Sequence, residues 1–166
     1  DGIELNPDSR DFLLDNYNNV TIGNIEDLDI SKIDNGYDLI IFADVLEHLY
    51  DPWRILNLLR EKLSENGNVI VSVPNLQSSG ILFNLIIRGR FKYAESGLMD
   101  RTHIRWFTRH EINKALDDAG FKVLLTNVNY NVYSPLKKFL IYPLKLLIKD
   151  LDVCQFILLA NRKVKG

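Results

Sequence analysis

The sequence predicts an α/β fold organised on a mainly parallel sheet with helices on both faces. Three observations carry that expectation: short β-branched or apolar runs alternate with apolar positions at helical spacing, the run Tyr37–Ala43 is almost wholly apolar, and capping residues or glycines mark most helix ends. At 166 residues, 46% hydrophobic and 25% charged, the chain fits one domain, residues 1–166, with a single core.

Asp1-Gly2-Ile3-Glu4-Leu5-Asn6-Pro7 reads as a strand end running into a helix, so the domain is expected to be N-terminally truncated. Asn6 caps a helix over about 7–16 whose first position is Pro7, where the missing amide costs nothing. Val20–Ile22 and Tyr37–Ala43 follow the turn-formers Asn18-Asn19 and Asn35-Gly36 and read as strands, the second buried on both faces. Asp51 caps a helix with Pro52 in its first turn; Trp53, Leu56, Leu59 and Leu63 keep helical spacing until Asn66-Gly67 stops it. Asn68–Val73 is a further buried strand, and 76–88 is an apolar helix. Gly89–Thr108 is a long, aromatic-rich loop, unusual enough to suggest function. Thr108 and Glu111 form a capping box for a helix to about Ala119, which Gly120 ends. Phe121–Tyr130 and Val153–Asn161 are strands, joined through a helical segment Pro135–Lys149.

Charge excludes some functions. With 20 basic and 22 acidic residues, net −2, no global field draws the chain to nucleic acid, and no nucleic-acid partner is expected. The single cysteine, Cys154, forms no internal disulfide and reads as a buried small hydrophobe; its use fits a reducing compartment. No signal peptide or run of 18 apolar residues is present, so the cytoplasm is the expected location. The basic, apolar stretch 135–149 is either a helix covering the sheet or a peripheral membrane contact.

Ligands of such sheets bind beyond the carboxyl ends of the strands, which brings Glu4, Gly23–Glu26, Ala43–His48 and Pro74-Asn75 to one rim. Glu4 at a strand end either accepts both hydroxyls of a ribose or is a solvated acid; Asn24 and Ile25 either read an adenine edge or form a turn. Asp44, Glu47 and His48 share one face of a helical turn. They either hold a divalent cation, act as acid and base, or brace the rim. Asp100-Arg101-Thr102-His103-Ile104-Arg105 concentrates an acid, two guanidinium groups and an imidazole beside Trp106 and Phe107. His103 can take a proton from a hydroxyl at neutral pH, and Arg101 or Arg105 can hold an anionic substrate group; the alternative is a salt-bridged loop.

Together "GIELNP", "GNIEDLD", "YDLIIFADVLEHLYDPWRILNLLREKLSENGNVIVSVPN" and "DRTHIRWFTRHEINKALDDAGF" resemble the class I S-adenosylmethionine-dependent methyltransferases over about residues 1–130. The resemblance implies a Rossmann-like sheet with an antiparallel last strand. Here it would lack the family's first, central strand and the glycine-rich cofactor loop, which would precede Asp1. The gap between the Glu4 strand and the Tyr37 strand is then either closed, or filled by missing chain or a second copy in a homo-oligomer. The resemblance assigns S-adenosylmethionine to Glu4 and Leu5 (ribose side), Asn24 and Ile25 (adenine side), and Phe42, Ala43 and Asp44 (methionine side). Asn24 replaces the family's usual aspartate.

"GRFKYAESGLMDRTHIRWFT" further resembles bacterial enzymes found among cell-envelope glycan genes, which implies O-methylation of a small polar or glycan-like acceptor. His103 and His48 are the candidate bases, with Asp100 and Arg101 beside them. Asp44, Glu47, His48 and His103 also resemble the metal-binding pattern of some O-methyltransferases, with Asp44 in place of their glutamate. Without its cofactor loop the chain is expected to be inactive alone. Rival expectations are a non-catalytic binding or scaffold domain of the same fold, and a nucleotide-dependent oxidoreductase, the latter disfavoured because no dinucleotide glycine fingerprint is present.

Overall fold

The computed structural model describes residues 1–134, 139 and 141–163. Two sheets form. In the first, β1 (Gly2–Glu4) pairs in parallel with β2 (Val20–Ile22); Pro7–Ser9 and α1 (Arg10–Asn16) connect them. Asn6 caps this connection as the sequence predicts, its side chain accepting the amide of Asp8 at 3.0 Å.

The second sheet has the order β3-β4-β6-β5, from β3 (Tyr37–Ala43), β4 (Leu63–Pro74), β5 (Phe121–Tyr130) and β6 (Val153–Arg162). β3 and β4 run parallel, while β6 is antiparallel to both β4 and β5. The expected antiparallel last strand is therefore present, inserted between its two neighbours. β1 and β3 do not pair among the described residues; the hydroxyl of Tyr37 donates to the Asp1 carboxylate between the two sheets.

α2 (Pro52–Arg60) and α4 (Arg109–Asp118) cover one face of the larger sheet. Ile55, Leu56, Ile112 and Leu116 pack with Val69, Val71, Phe156 and Leu158 into a core from which water is excluded. Asp51 caps α2 through the amide of Arg54, and Thr108 caps α4 through that of Glu111. The opposite face differs from expectation. Ile41, Ile70, Leu159 and Leu125 form one row across the four strands, yet Ile41 is 59% and Leu39 44% exposed. β3 is thus buried on one face only, because both helices in contact with this sheet's core lie on the other side.

The helix from Asp51 stops at Arg60, not at Gly67. The apolar residue Leu63 that continues its spacing already belongs to β4, pairing with Tyr37, and the next pair is Leu39 with Asn68. Between these two pairs β4 carries Ser64–Gly67 against the single Asp38 of β3. Gly67 is required there, since a Cβ would lie 2.9 Å from both Leu63 Cβ and the Tyr37 carbonyl oxygen. The apolar helix expected over 76–88 forms as α3 (Ser79–Arg88). Within 135–149 a 3-10 turn covers Pro143–Leu146, and the part of the expected helix at 135–138 and 140 lies outside the described residues. Cys154 is half-buried, not buried: it is the extra residue where the β5–β6 pairing jumps from Asn129–Gln155 to Tyr130–Val153; its Sγ contacts the Asn129 carbonyl oxygen and burial raises the thiol pKa.

Candidate active site

Glu4, Asn24 and Asp44 lie at or just beyond the carboxyl ends of β1, β2 and β3, whereas Asn75, expected on the same rim after β4, is fully buried, its amide nitrogen donating to the Asp150 and Val153 carbonyls. Glu4 ends β1: Oε1 accepts the amide of Asn6 at 2.8 Å, and Oε2 has no partner among the described residues. Leu5 beside it is exposed. Asn24 follows β2, and its Oδ1 takes the amide of Glu26 at 3.0 Å. The Asn24 amide nitrogen has no partner among the described residues. Ile25 packs on the core. The Glu26 carboxylate receives the amides of Tyr50 and Asp51, both at 2.8 Å, tying the β2 end to the start of α2.

At the end of β3 the side chain of Phe42 points into the core, so a ligand there meets backbone and the exposed Ala43 and Asp44. Asp44 has φ 52°, the one positive φ among the described non-glycine residues. Such a conformation costs about 1–3 kcal/mol and persists only when its surroundings impose it. Here Asp44 N–H donates to Ser72 Oγ at 3.0 Å, Ser72 Oγ–H donates to Asp44 Oδ1, and Gln155 Nε2 donates to both carboxylate oxygens at 2.7 and 3.0 Å. Sequence reasoning missed Ser72 and Gln155. The signal for the second was a lone amide in the apolar run of β6.

This clamp corrects the expected grouping of Asp44 with Glu47 and His48. The helical turn spans only Leu46–His48, and Asp44 faces Ser72 and Gln155 instead. The three groups that meet are Glu47, His48 and His103, with one possible ligand atom from each lying within 4.8 Å of the others. The Gly89–Thr108 loop brings His103 here because the amides of Ile104 and Arg105 both donate to the Glu47 carbonyl at 2.9 Å. Arg105 further donates to the Tyr50 carbonyl and lies over the Trp53 ring.

His48 and His103 meet edge to face, with ring centroids 4.7 Å apart. His48 Nδ1 lies 3.0 Å from Thr102 Oγ1 and 3.3 Å from the Thr102 carbonyl; His103 Nδ1 lies 3.3 Å from the Leu98 carbonyl. Carbonyl partners fix Nδ1 as the protonated nitrogen in each ring and leave Nε2 to accept a proton. Asp100 does not touch either ring. It accepts Thr102 N–H and Thr102 Oγ–H at 2.8 and 2.6 Å, which positions Thr102 against His48 and lowers the Asp100 pKa. Arg101 turns outward into an exposed ion pair with Glu95.

Electrostatics differ sharply within the cluster. Glu47 is 1% exposed and its Oε2 has no hydrogen-bond partner among the described residues. Burial pushes its pKa up to about 8, its own backbone amide opposing and Asp44 adding to the rise. Burial, reinforced by His48, lowers the pKa of His103, so this imidazole is neutral near pH 7.

A family model described as a methyltransferase domain matches residues 2–126. The chain belongs to the methyltransferase-domain family. No curated protein matches it. Among solved structures, this methyltransferase-domain chain is similar to an S-adenosylmethionine-dependent methyltransferase from Archaeoglobus fulgidus, at TM-score 0.65 and 18% identity, covering 97% of this chain and 75% of the other. It is also similar to S-adenosylmethionine-dependent methyltransferases from Methanosarcina mazei, at TM-score 0.62 and 14% identity over 99% of this chain and 82% of that one. A third is the Burkholderia thailandensis 1,6-didemethyltoxoflavin-N1-methyltransferase, solved with bound 1,6-didemethyltoxoflavin and S-adenosylhomocysteine, at TM-score 0.52 and 13% identity, covering 95% of this chain and 57% of that one. Its Rossmann-like fold is thus that of the class I S-adenosylmethionine-dependent methyltransferases.

Proposed function

We propose that the chain carries the acceptor side of an S-adenosylmethionine-dependent O-methyltransferase acting on a small polar or glycan-like hydroxyl compound. The observation that carries this reading is the paired imidazoles of His48 and His103, each with Nδ1 engaged and Nε2 left to accept a proton. An alcohol is a poor nucleophile until its proton leaves, and a positioned base with a pKa near the working pH supplies that help. His103, kept neutral by burial, is in the form that can accept a proton.

The residues present fit the adenosine half of the cofactor. Glu4 keeps one carboxylate oxygen for ribose hydroxyls, and Asn24 keeps an amide nitrogen for the adenine edge, with Leu5 and Ile25 as apolar neighbours. When bound, the cofactor supplies an electrophilic methyl group and leaves as the thioether. The chain's own part is to orient the acceptor hydroxyl, pass its proton to an imidazole Nε2 and keep water away. The exposed Ala43 and the clamped Asp44 stand between the two halves of the rim. No glycine-rich loop occurs in residues 1–166, so this chain alone holds the cofactor weakly and turns over little.

A specific observation favours a second reading of the same cluster. An orphaned, buried carboxylate oxygen beside two imidazoles is a donor set for a divalent cation, with Glu47, His48 and His103 as ligands and Asp44 outside them. The two readings separate by experiment. In a complete enzyme, methyl transfer from labelled cofactor to a hydroxylated sugar, and not to its deoxy analogue, supports O-methylation. Activity that survives a chelator assigns the histidines as bases; activity lost to the chelator and restored by manganese assigns them as ligands.

A further inference from the structure

We propose that α3 together with Phe139 and residues 141–149 forms a docking surface for an anionic membrane. On α3, Phe83, Ile86 and Ile87 are 52%, 69% and 68% exposed. Phe139, Tyr142, Leu146 and Leu147 are more exposed still. Two exposed apolar segments of this size are unusual on a soluble domain and mark a contact surface.

Both segments leave the sheet at the same place. The Ser79 amide donates to the Leu151 carbonyl at 2.7 Å, Asn131 Nδ2 donates to Ser78 Oγ at 2.9 Å, and Ser79 Oγ meets the Tyr133 hydroxyl at 2.5 Å. The start of α3 is thereby bonded to both ends of the excursion between β5 and β6.

Charge selects the occupant. In a chain of net charge −2, residues 76–94 contain Arg88, Arg90 and Lys92 and no acid, and residues 141–149 contain Lys145 and Lys149 and no acid. Lys145 is paired with Asp152. Arg88 and Arg90 form no ion pair among the described residues; Arg88 lies over Phe83 and reaches Asn84, which leaves its charge for an outside anion. Exposed aliphatic and aromatic side chains interleaved with unpaired cations are what an interface of anionic lipid headgroups over acyl chains binds. Among the described residues no helix is long and apolar enough to cross a membrane, so the contact is peripheral.

The surface also adjoins the site. Phe91, just beyond α3, meets Trp106 edge to face at 5.3 Å, and Trp106 meets His103 at 5.7 Å. Docking there places the histidine pair near the lipid headgroups, where a lipid-carried hydroxyl acceptor would be presented.

The test is co-sedimentation of the purified chain with vesicles of phosphatidylcholine alone or with added phosphatidylglycerol; neither cofactor nor turnover is required, so its result is separate from that of the catalytic reading. Binding to the phosphatidylglycerol vesicles alone, falling as salt rises, is expected. Arg88→Gln with Arg90→Gln should lower the partition constant roughly 25-fold, about fivefold per basic residue. Ile86→Ser with Ile87→Ser should weaken binding further while leaving the melting temperature in place, since both side chains are exposed. No binding to anionic vesicles, or binding that both double variants leave unchanged, overturns the proposal. So does light scattering that shows these apolar side chains buried in a dimer, with the apolar variant yielding monomer and the vesicles binding neither form.

Discussion

His48 and His103 lie edge to face with centroids 4.7 Å apart, and they come from separate segments pinned together by the Glu47 carbonyl oxygen. Their different surroundings divide their tasks. His103 is buried and kept neutral, whereas half-buried His48 is oriented by Thr102 and, through it, by Asp100. In a complete enzyme His103→Ala should lower turnover by about 100-fold to 10,000-fold, the usual range for loss of a general base, with cofactor affinity nearly unchanged. Asp100→Asn should give a smaller loss, since Asp100 touches neither ring and positions Thr102 against His48. Unchanged turnover with a lowered melting temperature for His103→Ala would make the imidazole a brace for the loop.

Glu47 makes a prediction about pH. Its pKa is about 8 in the folded chain against 4.5 in the unfolded one, so between these values the folded state binds one more proton. Stability from this group is therefore full below pH 4.5 and falls as pH rises toward 8, by at most about 1.4 kcal/mol per pH unit. Glu47→Gln, neutral throughout, should melt close to the unmutated chain at low pH and increasingly above it toward pH 8. Thermal melts in chelator-containing buffers check this; parallel pH curves for the two proteins would contradict it.

Gly67 tests the irregular β3–β4 pairing. A methyl group there meets the Tyr37 carbonyl oxygen and Leu63 Cβ at 2.9 Å, and the first of these is backbone. Gly67→Ala should cost about 1–3 kcal/mol, the range for overpacking a filled site. Urea denaturation measures it, and a change under about 0.5 kcal/mol, the scale of an ordinary surface substitution, would mean that the two strands separate without cost.

Local chemistry made much of this fold legible. Tyr37–Ala43, Phe121–Tyr130 and α4 lie where turn residues, apolar runs and the Thr108 cap place them, because those signals act within a few residues. The errors arose where distant partners decided. Leu63 fits the helical spacing of α2 but is claimed by Tyr37, and the outer face of β3 is apolar in sequence yet uncovered. In the site, His48, Glu47 and His103 were legible as residue types. That Asp44 would turn away to Ser72 and Gln155 was not, since its left-handed backbone and both partners depend on strands brought together only by the fold.

The central proposal is that Glu4, Leu5, Asn24 and Ile25 hold the adenosine half of S-adenosylmethionine, with Ala43 and Asp44 on its methionine side. Nuclear magnetic resonance titration of the chain with S-adenosylhomocysteine tests it most directly, because weak binding still moves amide signals. The account predicts shifts at Glu4, Leu5, Asn24, Ile25, Ala43 and Asp44, with a dissociation constant well above the micromolar range that corresponds to about 8 kcal/mol. Glu4→Ala should weaken them by on the order of 1–3 kcal/mol, as for hydroxyls left without a partner. Saturable shifts confined to another surface, or shifts at this rim that Glu4→Ala leaves untouched, would contradict the account.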